Sequence, residues 1–456
     1  WRQRRCFNLI PSENTPSLLV KMMEISDPSG RYAEHRTMKG KEIYFYQGID
    51  FIREVEEECR RALGEYFNCP RAELRPISGQ MANEIVFKAV TAFVNRGRQE
   101  HEPWRRIRAV MNNDLTKGGH LSSQPMGALF NYVDFGADRK ERVVNFPIRK
   151  DNPYRIDTEA LGNLLPEVRP ELIVFGKSMF IYPEPVAFTH AIVKDWDPRP
   201  VIMYDMAHVL GLYGAFQEPL TEGADLVTGS THKTFFGPQR GVIVGTLDEK
   251  HPLAKLWLQI KSRAFPGSTS NHHLGTLLAL LMATHEMNAF KSEYQDQVRR
   301  NAKAWARALA QAGLDVQGDP ADGYTETHQA LVRVSQYGPA EEIARRLEEN
   351  NIVCNYQALP DDETFLLSSG LRTGVSEMTR FGMQEQDFGP LAQLFADCVI
   401  RDRKVGDAAA AYRQRFMTMR YCLPADEAAQ MAARVLHSIF PRDDYAKRFA
   451  ENLISL

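Results

Sequence analysis

An aspartate and a lysine stand where two short apolar runs end, and together they suit the chemistry of one cofactor. Residues 201–204 are too short for a core helix and have the residue types of a strand, and Asp205 follows them. Residues 224–228 have the pattern of a second strand, and Lys233 follows that one. Open α/β sheets bind ligands at the carboxyl ends of such strands. Pyridoxal phosphate needs a lysine for its Schiff base and a carboxylate that keeps its pyridine nitrogen protonated, so this pair predicts a site for it. The alternative is a core strand that ends in a solvated turn.

The sequence around both residues resembles the cofactor motifs of serine hydroxymethyltransferases, which belong to the fold-type I pyridoxal phosphate enzymes. The similar motifs are Asp-Met-Ala-His at residues 205–208 and Ser-Thr-His-Lys-Thr at residues 230–234. The resemblance implies that Lys233 carries pyridoxal phosphate and that Asp205 pairs with its ring nitrogen. It also places three further side chains against the cofactor, namely His208, Ser230 and His232.

More matches to this family lie before residue 50. They are Leu-Ile-Pro-Ser-Glu-Asn at residues 9–14, Tyr-Ala-Glu at residues 32–34, and Tyr46 ahead of a glycine. By this resemblance, Ser12 binds the substrate carboxylate and Tyr32 lines the substrate site. Glu34 would transfer a proton beside the substrate hydroxyl and the folate, and Tyr46 would reach into the partner subunit's site. Taken without the resemblance, this stretch is a polar loop with a few anchoring tyrosines.

A small-residue turn, Ser78-Gly79-Gln80, precedes an apolar helical run, and a helix start of this kind offers backbone N–H groups to a phosphate. Many helices start at Ser-Gly, but this turn also matches the family's phosphate-binding motif. The resemblance places His120 flat on the cofactor ring and Ser178 near a cofactor oxygen. Arg372 lies in a motif similar to the family's substrate-carboxylate motif, and a guanidinium can bind a carboxylate through two parallel hydrogen bonds.

Repeated strand–loop–helix units predict a parallel sheet. The resemblance implies an α/β protein of fold type I, with a mainly parallel seven-stranded sheet and a small C-terminal α/β domain. We expect an N-terminal arm at residues 1–50, a large cofactor-binding domain at residues 51–313 and a small domain at residues 314–456. The last boundary follows a long predicted helix, which we expect to end at Gly313.

Composition argues against several classes of protein. The 456 residues are 43% hydrophobic and 25% charged, as in soluble globular proteins, and a net charge of -2 gives no reason to expect nucleic acid or an anionic membrane as a partner. No apolar run approaches the roughly 20 residues of a membrane span. Six cysteines without a Cys-x-x-Cys pair indicate reduced thiols and a cytoplasmic protein. No metal is expected, because the adjacent His272 and His273 have no third ligand at a suitable spacing.

The activity that the resemblance implies is reversible Cα–Cβ cleavage of a β-hydroxy amino acid such as serine. Tetrahydrofolate would be the co-substrate that takes up the one-carbon unit. The functional unit would be a homodimer or a dimer-based tetramer with its sites at the subunit interface. The retained Tyr32, Glu34 and Tyr46 favour this hydroxymethyltransferase function.

Three departures from the family pattern leave other functions open. Phe236 and Gln239 stand where the family usually has arginines, and Gln357 approximately replaces an asparagine near the folate pocket. The glycine-rich turn that usually contacts the partner's phosphate reads Ser-Asn-His-His at residues 270–273. The alternatives are a folate-independent threonine transaldolase or aldolase, an α-methylserine hydroxymethyltransferase, and a catalytically silent relative that acts as a binding protein.

Overall fold

A seven-stranded sheet lies at the centre of the protein in this computed structural model, which describes residues 1–38, 41–99, 101–363 and 368–439, together with residues 444, 447, 448 and 451. The strand Gly241–Gly245 is antiparallel to both of its neighbours, and the other neighbouring strands are parallel. The expected mainly parallel sheet is therefore observed. In spatial order its strands are Arg71–Glu73, Gly241–Gly245, Leu226–Ser230, Val201–Asp205, Leu172–Gly176, Val110–Asn112 and Val143–Asn145.

One helix, Leu274–Gln311, is much longer than the others, with 38 residues. It packs against the helices Leu18–Glu24, Asp50–Phe67 and Phe388–Arg401, so it joins segments from both ends of the chain. Gly313 follows it with a φ of +94°, a left-handed conformation that suits glycine, and this agrees with the predicted helix end. The remaining α-helices of the described residues are Gly79–Val94, Thr158–Val168, Val186–Val193, Ala254–Ala264, Ala340–Glu349, Ser376–Arg380, Gly406–Arg413 and Ala425–Ile439.

A second, four-stranded antiparallel sheet follows the long helix. Its strands, in spatial order, are Asp315–Val316, Gln329–Arg333, Gly370–Gly374 and Asn355–Gln357. The first residues of the chain return to this region, because strand Phe7–Asn8 pairs in parallel with Ile352–Val353 and the Gly374 N–H donates to Leu9 O at 2.7 Å. We propose that the small domain begins near residue 314, where the second sheet starts.

One of the predicted strands begins later than expected. The strand expected at residues 224–228 runs Leu226–Ser230, and the carboxylate of the preceding Asp225 accepts a hydrogen bond from the Ile202 N–H at 2.7 Å. A short antiparallel hairpin, His35–Met38 with Lys41–Tyr44, precedes the helix Asp50–Phe67. Among the described helices, none has the length and apolar character that crossing a membrane requires.

Candidate active site

Lys233 lies in the turn that follows the strand Leu226–Ser230. Its amine donates a hydrogen bond to Ser230 Oγ at 3.0 Å, and its carbonyl oxygen accepts one from the Asn14 side chain at 2.9 Å. Burial lowers the pKa of the Lys233 amine to about 8; Arg372 lowers it further and Asp205 partly opposes this. An amine with a depressed pKa has a larger neutral fraction near neutral pH, and the neutral form is the nucleophile that attacks an aldehyde.

Asp205 is the last residue of its strand and is almost fully buried. Its Oδ1 accepts a hydrogen bond from the Ala207 N–H at 2.9 Å, while Oδ2 accepts one from Asn83 Nδ2 at 2.8 Å and contacts His120 Nδ1. Burial alone would raise the pKa of Asp205, but His120 and these hydrogen bonds hold it below its usual value. The site therefore contains a fixed, ionised carboxylate at the end of a central strand.

Asn83 is itself held in place, and the sequence motifs assign it no role. Its Oδ1 accepts a hydrogen bond from Thr228 Oγ1 at 2.5 Å, and its Nδ2 donates also to Ser122 Oγ at 2.7 Å. Asn83 is fully buried in the helix Gly79–Val94. A buried amide with all of these partners is rigid, so it fixes the carboxylate of Asp205.

The turn at residues 78–80 lies against the lysine turn. Ser78 caps the helix Gly79–Val94 by accepting a hydrogen bond from the Met81 N–H at 3.1 Å. A Cβ on Gly79 would stand 2.2 Å from Ser230 Oγ, so a larger residue would require the Ser230 side chain to turn away. Ser78 and Gln80 are exposed. The free N–H groups of the helix start thus lie beside Ser230 and Lys233, where they suit a phosphate.

Three histidines surround these groups. His120 follows the strand Val110–Asn112 through a turn, and its backbone N–H donates to Gly176 O at 2.9 Å. Its ring meets that of His208 edge to face, with centroids 5.3 Å apart. Burial and the nearby cation of Lys233 lower the pKa of His208 well below its usual value and that of His232 to about 4. Both rings are therefore neutral, and each has an Nδ1 atom with no hydrogen-bond partner in the described part of the protein.

Arg372 extends from the second sheet toward this region. Its guanidinium is buried and donates to Ser178 O at 2.9 Å and to Asn355 Oδ1 at 3.2 Å. No Asp or Glu of the described residues forms an ion pair with it, and burial lowers its pKa to about 10. A buried guanidinium without an internal acid is suited to bind the carboxylate of a ligand. Asn355 is a contact that the sequence motifs did not reveal.

Ser12 lies on a segment that is fixed on both sides. Pro11 O faces His328 Nε2 at 3.1 Å, next to the second sheet, and Asn14 reaches the carbonyl of Lys233. The N-terminal segment therefore bridges the part of the protein that carries Arg372 and the part that carries Lys233. Ser12 belongs to this segment, between Pro11 and Asn14.

Tyr32, Glu34 and Tyr46 form a separate surface group. The two tyrosine rings have centroids 5.2 Å apart, and the side chains are 51% and 40% exposed. Loss of hydration, Glu34 and Tyr32 together raise the pKa of Tyr46, so the carboxylate lies beside the two phenols. Among the described residues, none of their hydrogen bonds or ring contacts reaches Lys233. The assignment of these three residues to the substrate site, with Tyr46 at the site of the partner subunit, therefore stays a prediction.

The chain is similar to known proteins over most of its length. Residues 1–395 match the family model described as serine hydroxymethyltransferase. The chain belongs to the serine hydroxymethyltransferase family. It is 36% identical to the serine hydroxymethyltransferase of Staphylothermus marinus over 447 residues, which cover 96% of this chain and 94% of that protein. It is also 36% identical to that of Archaeoglobus fulgidus over 428 residues, covering 92% and 90%. The crystal structure of L-threonine transaldolase from Pseudomonas fluorescens superposes with a TM-score of 0.80 at 25% identity, covering 95% of this chain and 94% of that one.

The departures from the family pattern have different structural consequences. Phe236 is buried, and the guanidinium of Arg380 stacks on its ring, 3.8 Å from the centroid. Gln239 is exposed. His272 is fully buried and its Nε2 donates to Glu56 Oε1 at 2.7 Å, away from the lysine turn. Gln357 is half-buried at the end of an edge strand, where Asn355 rather than Gln357 contacts Arg372.

The residues of the serine hydroxymethyltransferase site fit pyridoxal phosphate. Three observations support this fit: an amine of lowered pKa on Lys233, the ionised carboxylate of Asp205, and the close approach of the helix start at Gly79 to Ser230. Each provides what one part of the cofactor needs, namely its aldehyde, its ring nitrogen and its phosphate. Membership of this family supports a pyridoxal phosphate-dependent transferase.

Proposed function

We propose that this protein cleaves the Cα–Cβ bond of serine reversibly and transfers the one-carbon unit to tetrahydrofolate. The observation that carries the proposal is the convergence of Lys233, Asp205 and Arg372 between the two sheets. The names of the relatives at 36% identity support serine and hydroxymethyl transfer, and tetrahydrofolate is the usual co-substrate of that family. Six cysteines without a disulfide favour a reducing compartment, and we place the protein in the cytoplasm.

Different residues of the site would hold different parts of the cofactor. Bound pyridoxal phosphate would withdraw electrons from the bond that breaks. Lys233 would hold the cofactor covalently, and Asp205 would keep a positive charge on the ring nitrogen. The helix start at residues 78–80, with Ser230 and His232, would hold the phosphate, and His120, His208 and Ser178 would contact the rest of the cofactor.

Substrate orientation would decide which bond of the amino acid breaks. The guanidinium of Arg372 would bind the carboxylate, with Ser12 as a second donor. Ser12 and Arg372 lie on two different segments, and Asn14 joins the segment of Ser12 to the lysine turn. Together the two residues would fix the substrate relative to Lys233. Glu34 would move a proton at the substrate hydroxyl, with Tyr32 and Tyr46 beside it.

We propose that the functional unit is a homodimer or a dimer-based tetramer. Tyr32, Glu34 and Tyr46 lie on the surface of one chain, and their contacts do not reach its own Lys233. Half-exposed aromatic rings beside a carboxylate are unusual for a free surface but typical of a surface that a partner covers. In this arrangement, the three residues of one subunit would complete the site of the other.

A threonine transaldolase remains the second candidate, because the chain superposes closely on one and Phe236 replaces a family arginine. Product analysis decides between the two functions. Holoenzyme would be given serine or threonine, each with and without tetrahydrofolate and with and without an added aldehyde. We expect serine turnover to depend on tetrahydrofolate and to exceed threonine turnover.

A matched pair of variants sharpens this experiment. Glu34→Gln should remove most of the folate dependence and leave cofactor absorbance unchanged, whereas Glu65→Gln at an exposed helix position should behave like the unaltered protein. Folate-independent threonine turnover that exceeds folate-dependent serine turnover would establish the transaldolase instead. No turnover of either substrate by yellow, cofactor-loaded protein would favour a catalytically silent relative.

A further inference from the structure

A buried cluster of imidazole and carboxylate groups lies beneath the hairpin that precedes the helix Asp50–Phe67. His35, in the first strand of the hairpin, is 1% exposed, and Glu56, in the helix, is fully buried. His35 Nε2 lies 3.4 Å from Glu56 Oε2 without hydrogen-bond geometry. Glu42, in the second strand, offers a third ligand atom, and the three atoms lie within 4.8 Å of one another.

The hydrogen bonding of His35 determines which of its nitrogens faces the carboxylates. Its Nδ1 is 3.1 Å from Ala33 O, and a carbonyl oxygen can only accept, so Nδ1 carries a proton. In the neutral ring, Nε2 then presents a lone pair toward the carboxylate of Glu56. Two lone pairs that face each other in a buried site repel, so a positive charge that both can contact would stabilise the arrangement. An imidazole whose other N–H donates to a backbone carbonyl is also the usual arrangement of a histidine that binds a metal.

We propose that His35, Glu42 and Glu56 bind a divalent metal ion of the zinc class. One imidazole nitrogen and two carboxylate oxygens are ligands that zinc accepts at distances near 2 Å. The proposal is independent of the reaction at Lys233. The sequence-based expectation of no metal rested on spacing along the chain, and these three ligands come from separate strands and a helix that only the fold brings together.

Two neighbouring groups hold the proposed ligand Glu56 in a fixed orientation. His272 Nε2 donates to Glu56 Oε1 at 2.7 Å, and the Tyr44 hydroxyl donates to Oε2 at 3.1 Å, so the carboxylate is oriented from two sides. The Tyr44 ring also covers the His35 ring, with centroids 4.4 Å apart. Such neighbours fix the orientation of metal ligands.

Two cations compete for the same carboxylates. Arg60 Nη2 lies 3.0 Å from Glu56 Oε2 and 3.6 Å from Glu42 Oε1, and Lys261 Nζ lies 3.5 Å from Glu42 Oε1. The side chains of Arg60 and Lys261 are 30% and 25% exposed, so their charged groups can turn toward water, whereas His35 and Glu56 cannot move out. A bound metal would therefore displace the two cations rather than the ligands.

Such a metal would fix the hairpin that carries the surface group described above. Glu34 immediately precedes His35, and Tyr46 lies two residues beyond Tyr44. Binding at His35 and Glu42 would tie both strands of the hairpin to the helix Asp50–Phe67. The position of Glu34 would then depend on the metal.

The test is a zinc titration of tag-free holoenzyme after treatment with a chelator, followed by isothermal calorimetry and elemental analysis. We expect one zinc ion per chain. His35→Asn keeps a donor for Ala33 O and removes the Nε2 ligand, so it should weaken zinc binding by about tenfold or more. Glu42→Gln should have a similar effect and, at a partly exposed position, leaves folding unaffected. His273→Gln removes the exposed neighbour of His272 and should bind zinc like the unaltered protein.

Several outcomes would overturn the proposal. The first is no zinc uptake by the unaltered protein, and the second is unchanged zinc affinity in Glu42→Gln. Loss of zinc in His273→Gln would place the metal at the exposed histidine instead. Circular dichroism and cofactor absorbance of each variant show whether folding has changed, and Glu42→Gln decides the matter if His35→Asn does not fold.

Discussion

Two inactive variants should restore activity when they share a dimer, if Glu34 serves the partner's site. Lys233→Ala removes the residue proposed to hold the cofactor, and Glu34→Gln removes the proposed proton-transfer group. In a mixed dimer, the chain with Glu34→Gln keeps its own Lys233 and receives an intact Glu34 from its partner. The other site lacks both groups. One of the two sites is therefore complete.

The magnitude follows from the symmetry of the dimer. Random mixing of equal amounts gives mixed dimers for about half of the molecules, and each has one intact site of two, so about a quarter of the full activity should return. The structure motivates this expectation, because Glu34 lies with Tyr32 and Tyr46 on the surface, and the contacts of this group do not reach Lys233.

The assay is serine turnover by the unfractionated mixture of dimers that forms when the two variants are co-expressed in equal amounts. A matched control combines Lys233→Ala with Asp205→Asn. Both of these residues belong to the site of one chain, so every site in that mixed dimer has one defect and no activity should return. Activity of the Glu34→Gln mixture no higher than that of this control would refute the shared site.

Three further changes test the site from within one chain. Asp205→Asn should leave the fold intact, as circular dichroism would show, and lower turnover by several orders of magnitude, because the ring nitrogen loses its buried anion; near-normal turnover would make Asp205 a structural strand end. Thr228→Val leaves the buried Asn83 Oδ1 without its donor, so the free energy of unfolding in urea should fall by about 1–3 kcal/mol, and an unchanged value would contradict the role of this hydrogen bond. Arg372→Leu removes a positive charge near Lys233, so the pKa of that amine should rise from about 8 and the pH midpoint of cofactor uptake by apoprotein should move upward; a midpoint that stays or falls would contradict the coupling.

Local sequence patterns were sufficient to predict the strands that precede Asp205 and Lys233. Strands of a parallel sheet are covered on both faces, so they appear in the sequence as short, continuously apolar runs. The residues at their carboxyl ends are then identified by position alone. The strand before Lys233 begins two residues later than expected, and no local pattern shows that the carboxylate of Asp225 would accept a hydrogen bond from the backbone of another strand.

Contacts between distant segments could not be predicted in this way. Asn83 and Asp205 are joined by a buried hydrogen bond, yet they come from a helix and a strand that are far apart in the chain. His35 and Glu56 also lie side by side, 3.4 Å apart, although one belongs to a strand and the other to a helix. Glu34 is a different case, since its proposed role depends on a second chain.

The central claim, that the chemistry takes place at Lys233, is tested most directly by reduction of the cofactor-loaded protein with borohydride, followed by peptide mapping. We predict that the reduced cofactor is attached to the peptide that contains Lys233. The other buried lysine near the site, Lys177, is held by Glu184 at 2.5 Å and should remain unlabelled. A label on Lys177, or on any lysine other than Lys233, would contradict the account.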